Sequence, residues 1–428
     1  MSARIRWFSP VDARASEIAR YSAELLPVLA QYANVTALDD GSGSVSPSWW
    51  LSGAEADSAE PGEASLPVYH IGNNPLHLPI YQRSLEEPGL VVLHDLSLVD
   101  LARHLSRELG EADLWKELMC SQYGDEVRGL ANRSQNSVAD YNKMVTEYPL
   151  FQPFIQGALG VVVHSRYALE RVRIELGDER RVVHLNLPAA AAPQASASES
   201  RKPGPVRFVF CGHVGPNRRL LQFMEAWGQI SAPQRIRLEL FGNVANDRQL
   251  MQYAQRFGIA DNVTLHGYVD EDHLEAALHA ADFALNLRFP TMGEASASQL
   301  RYWSAALPTL VSDVGWYNEL PADTVCPIAV DNEIQDLRDL LESAIASPER
   351  FEAIGRRGLA YLREAHQPDD YAKGFVGLAK QLLQQRLAYR TLDKNLVTVI
   401  ASLCQEETDC RLFRSAVETA VATFATTE

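Results

Sequence analysis

Glu294, Ser296 and Ser298 fall within five residues of one another, just beyond an apolar run, Phe283 to Leu287, that closes at Arg288 and Pro290. The run reads as a buried strand and Gly293–Glu294 as the opening of a helix. Hydroxyls in a first turn satisfy free amides better than they propagate helix. A strand that empties into a helix N-terminus presents unpaired N–H groups and a partial positive charge to an anion, most often a phosphate. A carboxylate beside a phosphate repels it, so Glu294 fits that place as an acceptor for neutral hydroxyls, as on a sugar. It fills no core position in this reading, and its removal is expected to leave folding intact. An ordinary strand–helix–strand unit with a surface glutamate has the same spelling. After the helix, residues 308–315 (PTLVSDVG) read as the next strand and its turn.

Other polar residues gather at strand exits. His94 and Asp95 follow Leu90–Leu93, and His164 with Ser165 follows Gly160–Val163. His70, Asn73 and Asn74 form a polar cluster around the end of Val68–Ile71. The turn after Val206–Cys211 carries Gly212, His213 and the basic pair Arg218–Arg219. Each also has a structural explanation: a core histidine satisfied by Asp95, or a solvated arginine pair at a helix start. No Asp-x-Asp pair sits at a strand end, and Asp39–Asp40 and Asp369–Asp370 lack that setting, so no essential metal is expected. Neither the Gly-x-Gly-x-x-Gly of a dinucleotide site nor a P-loop is present.

The elements that position these residues alternate strand and helix, which implies parallel sheets covered on both faces and an α/β fold. In the first part the strands read as Arg4–Phe8, Asn34–Leu38, Val68–Ile71, Leu90–Leu93, Gly160–Val163 and Val182–Leu187. A helix spans about Ser16 to Tyr32, and Ser97 to Tyr148 is mostly helical. Residues 41–66 read as a long loop carrying Trp49–Trp50. Residues 188–205 (PAAAAPQASASESRKPGP) read as a linker. The second part has strands at Val206–Cys211, Ile236–Phe241, Val263–Gly267 and Phe283–Leu287, with helices between them. Two further helices lie in Ile334–His366. From Tyr371 the chain reads as helix to its end, where Leu412, Phe413, Val417, Val421 and Phe424 form one apolar face. The expected organisation is a first domain over 1–187, the linker, a second domain over 206–370 and terminal helices over 371–428.

Composition narrows the function. With 46% hydrophobic and 22% charged residues over 428 positions, the chain is globular and holds two to three domains. A formal charge of −16 argues against nucleic acid as a main partner and against strong adhesion to anionic lipid. The five cysteines are scattered without metal-ligand spacing and read as reduced thiols. The start, MSARIRWFSP, does not read as a signal peptide, and no apolar run approaches membrane-spanning length. A cytoplasmic protein is expected. A homo-oligomer or a peripheral membrane contact stays open, since the terminal apolar face must pack on something.

Over most of residues 206–375 the sequence resembles the donor-binding domain of retaining glycosyltransferases of the GT-B fold, specifically family 4 of nucleotide-sugar transferases. The resemblance is carried by the glycine turn with its basic pair, LELFGN, NVTLHGYVDEDHLEAAL, ADFALNLRFPTMGE and PTLVSDVGWYNELP. Weaker echoes in the first part are SEIARYSAELLPVL, YHIGNNPLH, VVLHD and VVVHS. The resemblance implies two Rossmann-like domains facing across a cleft, the acceptor on the first and the nucleotide-sugar on the second. It also implies that the terminal helices cross back onto the first domain.

Residue by residue, the resemblance implies that Arg218 or Arg219 neutralises the departing diphosphate, with Gly212 and His213 beside it. Glu294 matches the first glutamate of the family's paired motif, which holds donor sugar hydroxyls, and the amides of Ala295, Ser296 and Ala297 line the same pocket. The second glutamate's place, assigned to the ribose, is taken here by Tyr302; neighbouring Arg301 is an alternative phosphate contact. The Gly267–Asp270 turn, with Tyr268, frames the base. His94 matches the cleft histidine, which positions an acceptor hydroxyl or touches the donor sugar. His70, Asn73 and His164 fall on the acceptor side. Where relatives carry Ser-Gly-Ile, this chain has Ser16-Glu17-Ile18, and a side chain there narrows the cleft. The implied activity is retaining transfer of a sugar from a nucleotide donor to a glycan, lipid-linked saccharide or small-molecule acceptor, with no cofactor. The alternative is a degenerate member acting as a binding or assembly partner.

Overall fold

The computed structural model of the chain describes residues 3–10, 16–38, 50–51, 65–176, 181–189, 204–244 and 246–403. Most of the expected linker and the apolar face from Leu412 to Phe424 therefore lie outside the described residues.

The first sheet is parallel and seven-stranded among the described residues, in the order β3-β2-β1-β4-β5-β6-β7. Its strands are β1 (Arg4–Phe8), β2 (Asn34–Leu38), β3 (Trp50–Leu51), β4 (Leu66–Ile71), β5 (Leu90–Leu93), β6 (Gly160–Val163) and β7 (Val182–His184). The central strands read LPVYHI, LVVL and GVVV and are buried throughout, as expected for a sheet covered on both faces. Helix α1 (Glu17–Leu29) follows β1, α2 (Val99–Glu108) follows β5, and α3 (Arg166–Leu176) follows β6. β7 is shorter than the sequence suggests because the chain leaves the sheet after His184 to reach the second domain. The Trp49–Trp50 pair, placed in a loop by its surroundings, supplies half of β3 through Trp50, which pairs with Ala37.

The second sheet is also parallel, in the order β10-β9-β8-β11-β12-β13. It comprises β8 (Val206–Cys211), β9 (Ile236–Phe241), β10 (Val263–Gly267), β11 (Phe283–Asn286), β12 (Thr309–Ser312) and β13 (Cys326–Ile328). Around it lie α4 (Leu220–Gly228), α5 (Glu271–Ala280), α6 (Ala297–Ser304), α7 (Glu333–Ala346) and α8 (Glu352–Ala365). The last described helix, α9 (Pro368–Leu403), returns to the first domain. Its Phe375, Val376, Ala379 and Leu382 share a core with Trp7, Leu25 and Leu29, and Tyr21 donates to Tyr371 at 2.7 Å. The two crossings between domains run side by side. Ala189 N donates to His366 O (3.0 Å), His366 Nδ1 to Leu187 O (2.8 Å) and Asn186 Nδ2 to Ala365 O (2.9 Å).

In each sheet the strand order reverses beside the first strand, between β1 and β4 and between β8 and β11. Open α/β sheets bind ligands at the carboxyl ends of such switch points. Here the two points face each other. No helix among the described residues is long and apolar enough to cross a membrane.

Candidate active site

A cavity of about 650 Å³ lies between the two switch points. The loop after β11 forms its floor. Arg288 lies two residues past the strand and is buried, its amide donating to Ser312 Oγ at 2.9 Å. Its guanidinium pairs with Glu294 Oε1, while Glu294 Oε2 accepts from Thr291 Oγ1 (3.1 Å) and Met292 N (2.7 Å). Both Glu294 oxygens are thus occupied from within the loop. Glu294 is the counter-ion of a buried arginine, and this corrects the expectation that its removal leaves folding untouched: Arg288 would be buried unpaired. Burial opposes charge on Arg288, but Glu294, with Tyr317 and Asp95 adding to it, more than offsets that and the guanidinium is held above its usual range.

Helix α6 opens next. Ser296 is its N-cap and accepts from Gln299 N (3.3 Å), which leaves the first-turn amides of Ala297 and Ser298 outside that cap, and both residues line the cavity with Ala295. Tyr302, expected at the ribose, is instead in the core with no exposed surface. Its hydroxyl accepts from Cys211 N (2.7 Å) and so anchors the end of β8 beneath the Gly212 turn. The residue that reaches the cavity is its neighbour Arg301, because one step along a helix turns the side chain by about 100°.

The turn after β8 separates the two arginines in the same way. Arg218 lines the cavity. Arg219 adopts φ +56, which swings its guanidinium to Glu333 at the start of α7 (Nε to Oε1, 3.0 Å) and over the Phe289 ring. Of the pair, Arg218 is left to meet a ligand, and the placement of Arg219 among catalytic residues is corrected. Gly212 sits at φ +128, where a side chain would be strained, and His213 is exposed beside it. The Gly267 turn holds Gly242 N through its carbonyl (2.7 Å), and Tyr268 is 74% exposed rather than on the cavity wall.

From the first domain come His94, Asp95, His164 and Glu17. His94 leaves β5 and its Nε2 shares a hydrogen with His70 Nδ1 at 2.8 Å. Burial pushes the His94 imidazole well below its usual value, with His164 and His70 adding to the effect, so it is neutral near pH 7. His164 Nδ1 donates to Leu185 O (3.0 Å), which fixes its tautomer, and burial lowers it to about 4. His70 has no exposed surface and backs His94 from within the core, so it is not an acceptor contact. Asn73 is also structural: its Oδ1 accepts from Asp100 N and Leu101 N (3.0 Å each), and its amide donates to Asp95 Oδ2 (2.7 Å). Ser16 caps α1, its Oγ accepting from Ile18 N, which brings Glu17 to the cavity.

Four cavity residues have no site role in the sequence reading. Asp95 is raised to about 7, first by burial and then by the Glu294 charge across the cleft, against the Asn73 amide. Arg20 and Glu271 meet across the mouth at 3.7 Å. Their spellings, an i,i+4 pair with Glu24 and a first-turn acid, are those of any solvated helix face. Arg288 had a signal, a lone arginine ending an apolar strand. Among the described residues no group of three or more His, Cys, Asp or Glu gathers as a metal site.

The domains touch beside the cavity. Leu96 N and Ser97 N both donate to Met292 O (2.7 and 2.8 Å), and a Cβ on Gly293 would lie 2.4 Å from Leu96 Cβ. Glu319 reaches over to accept from Arg166 N (2.8 Å) and Tyr167 N at the start of α3.

Residues 205–347 match the family model of glycosyl transferases group 1. No curated protein matches the chain by sequence. Among solved structures, sucrose-phosphate synthase (tll1590) from Thermosynechococcus elongatus is similar at 14% identity, with 90% of this chain and 100% of that chain covered and a TM-score of 0.59. WaaG, a glycosyltransferase involved in lipopolysaccharide biosynthesis, is similar at 16% identity (87% and 98% covered, TM-score 0.55). Alr3699/HepE from Anabaena, in complex with UDP and glucose, is similar at 10% (89% and 100% covered, TM-score 0.55). Likeness at these identities speaks for the fold. The chain has the GT-B fold, two Rossmann-like domains facing across a cleft.

Proposed function

We propose that the protein is a retaining glycosyltransferase that moves a sugar from a nucleotide-sugar to a glycan, lipid-linked saccharide or small-molecule acceptor. The observation that carries this reading is the interdomain cavity. Arg218, Arg301 and the first turn of α6 gather on one wall, and a neutral His94 faces them from the other. A departing nucleoside diphosphate accumulates negative charge, and donors already in place meet it without reorganising. The Arg218 fork can take two phosphate oxygens, and the helix amides a third. Neutral His94 can donate to or accept from a sugar or acceptor hydroxyl. Glu294 acts through Arg288 and the loop it holds, keeping a third cation on the cavity floor. In this reading guanidinium groups do the work of a metal, the sugar nucleotide is a co-substrate, and the protein is cytoplasmic with free thiols at Cys120, Cys211 and Cys326.

The test is incubation with UDP-, GDP-, dTDP-, ADP- and CDP-sugars, with and without EDTA, following diphosphate release and the anomeric configuration of the product by NMR. Release from one donor that survives EDTA, with configuration retained, is the expected result. Inversion overturns the retaining mechanism. One observation favours a non-catalytic binding role: the Glu17 carboxylate on the cavity wall, which repels a diphosphate. No release from any donor, with melting temperatures unmoved by all five diphosphates, decides for that role.

A further inference from the structure

Across the cavity mouth one carboxylate stands between two guanidinium groups from different domains. Glu271, in the first turn of α5, lies 2.7 Å from Arg301 Nη2 of α6 and 3.7 Å from Arg20 Nη1 of α1. The Arg301 contact is ionic without a directed hydrogen bond, and the buried Nη2 has no hydrogen-bond acceptor. Arg301 is nearly enclosed, its side chain 12% exposed, whereas Glu271 is 58% exposed and free to swing toward solvent. All three residues line the same cavity as the opening turn of α6. A buried guanidinium with an unfilled donor, one turn along from the helix N-terminus on the same wall, calls for an anion with more oxygens than one mobile carboxylate brings.

We propose that Arg20 and Arg301 form a two-domain clamp for the diphosphate of the donor, and that Glu271 is a stand-in anion which the diphosphate displaces. The inference rests on the nucleotide-sugar reading and adds to it a diphosphate-binding residue from the first domain and a built-in competitor. Displacement also links binding to closure, because the diphosphate touches both domains where Glu271 now does. Glu24, which accepts from Arg20 Nε at 2.9 Å, holds that side chain toward the cleft while the exchange occurs.

The experiment is titration calorimetry with UDP, GDP, dTDP, ADP and CDP, each compared with its parent nucleoside. For the diphosphate bound best, Arg20→Ala is expected to weaken binding about tenfold, with Arg20→Lys recovering part of the loss. Glu271→Gln is expected to tighten it by roughly two- to fivefold, the scale of an exposed ion pair. Binding of the parent nucleoside stays unchanged in all three variants, which a general loss of structure would not allow. An unaltered diphosphate affinity in Arg20→Ala, or weaker binding in Glu271→Gln, overturns the clamp while leaving the donor site standing. Absence of binding by the unsubstituted protein to every diphosphate overturns the nucleotide-sugar reading and the clamp with it.

Discussion

Asp95 and Glu294 come from different domains and face a single buried guanidinium, Arg288. One positive charge cannot serve two carboxylates in a desolvated place, and the carboxyl without the direct ion pair keeps a proton. The unfolded chain releases that proton at about pH 4, whereas the folded chain holds it to about 7. Over that window the folded state binds more protons, so the stability associated with Asp95 falls as pH rises, and it is constant above the window. Asp95→Asn cannot titrate. Its melting temperature relative to the unsubstituted protein should climb from pH 5 to pH 7 and level off by pH 8; parallel melting curves across that range would remove the coupling.

At the scale of elements, the tie from Tyr302 to β8 decides how well the glycine turn is held. Tyr302→Phe removes the acceptor of the Cys211 amide, leaving a buried N–H unpaired at a cost of about 1–2 kcal/mol, to be read from urea unfolding. Element types and order were legible because buried parallel strands spell short apolar runs such as GVVV and LVVL. What could not be read was rotation. Tyr302 and Arg301 are neighbours, and choosing which faces the cavity needs the helix phase relative to β8, which is a tertiary fact. Arg218 and Arg219 differ by a left-handed backbone step that carries Arg219 to Glu333, over a hundred residues away. The place of His94 at the cavity was legible because the carboxyl ends of central parallel strands open on the cleft.

For the whole molecule, Gly293 matters as the place where the domains meet. Gly293→Ala puts a Cβ against Leu96 and should hold the cleft open, raising the radius of gyration measured by X-ray scattering. Gly110 has the same sign of φ (+71, against +78) and open space around it. Gly110→Ala therefore carries the backbone strain alone and should leave the radius unchanged; equal radii in the two variants would show that the contact at Leu96 does not set closure. None of these cross-domain contacts could be read from the sequence, since Met292 and Glu319 have ordinary loop spellings.

The paired crossings have a mechanical consequence. Two lengths of chain tied edge to edge at Leu187–Ala189 and His366 behave as a narrow ribbon. A ribbon bends easily out of its plane and resists bending within it, so the halves swing mainly about one axis, like a book on its spine. Displacement then grows with distance from the spine.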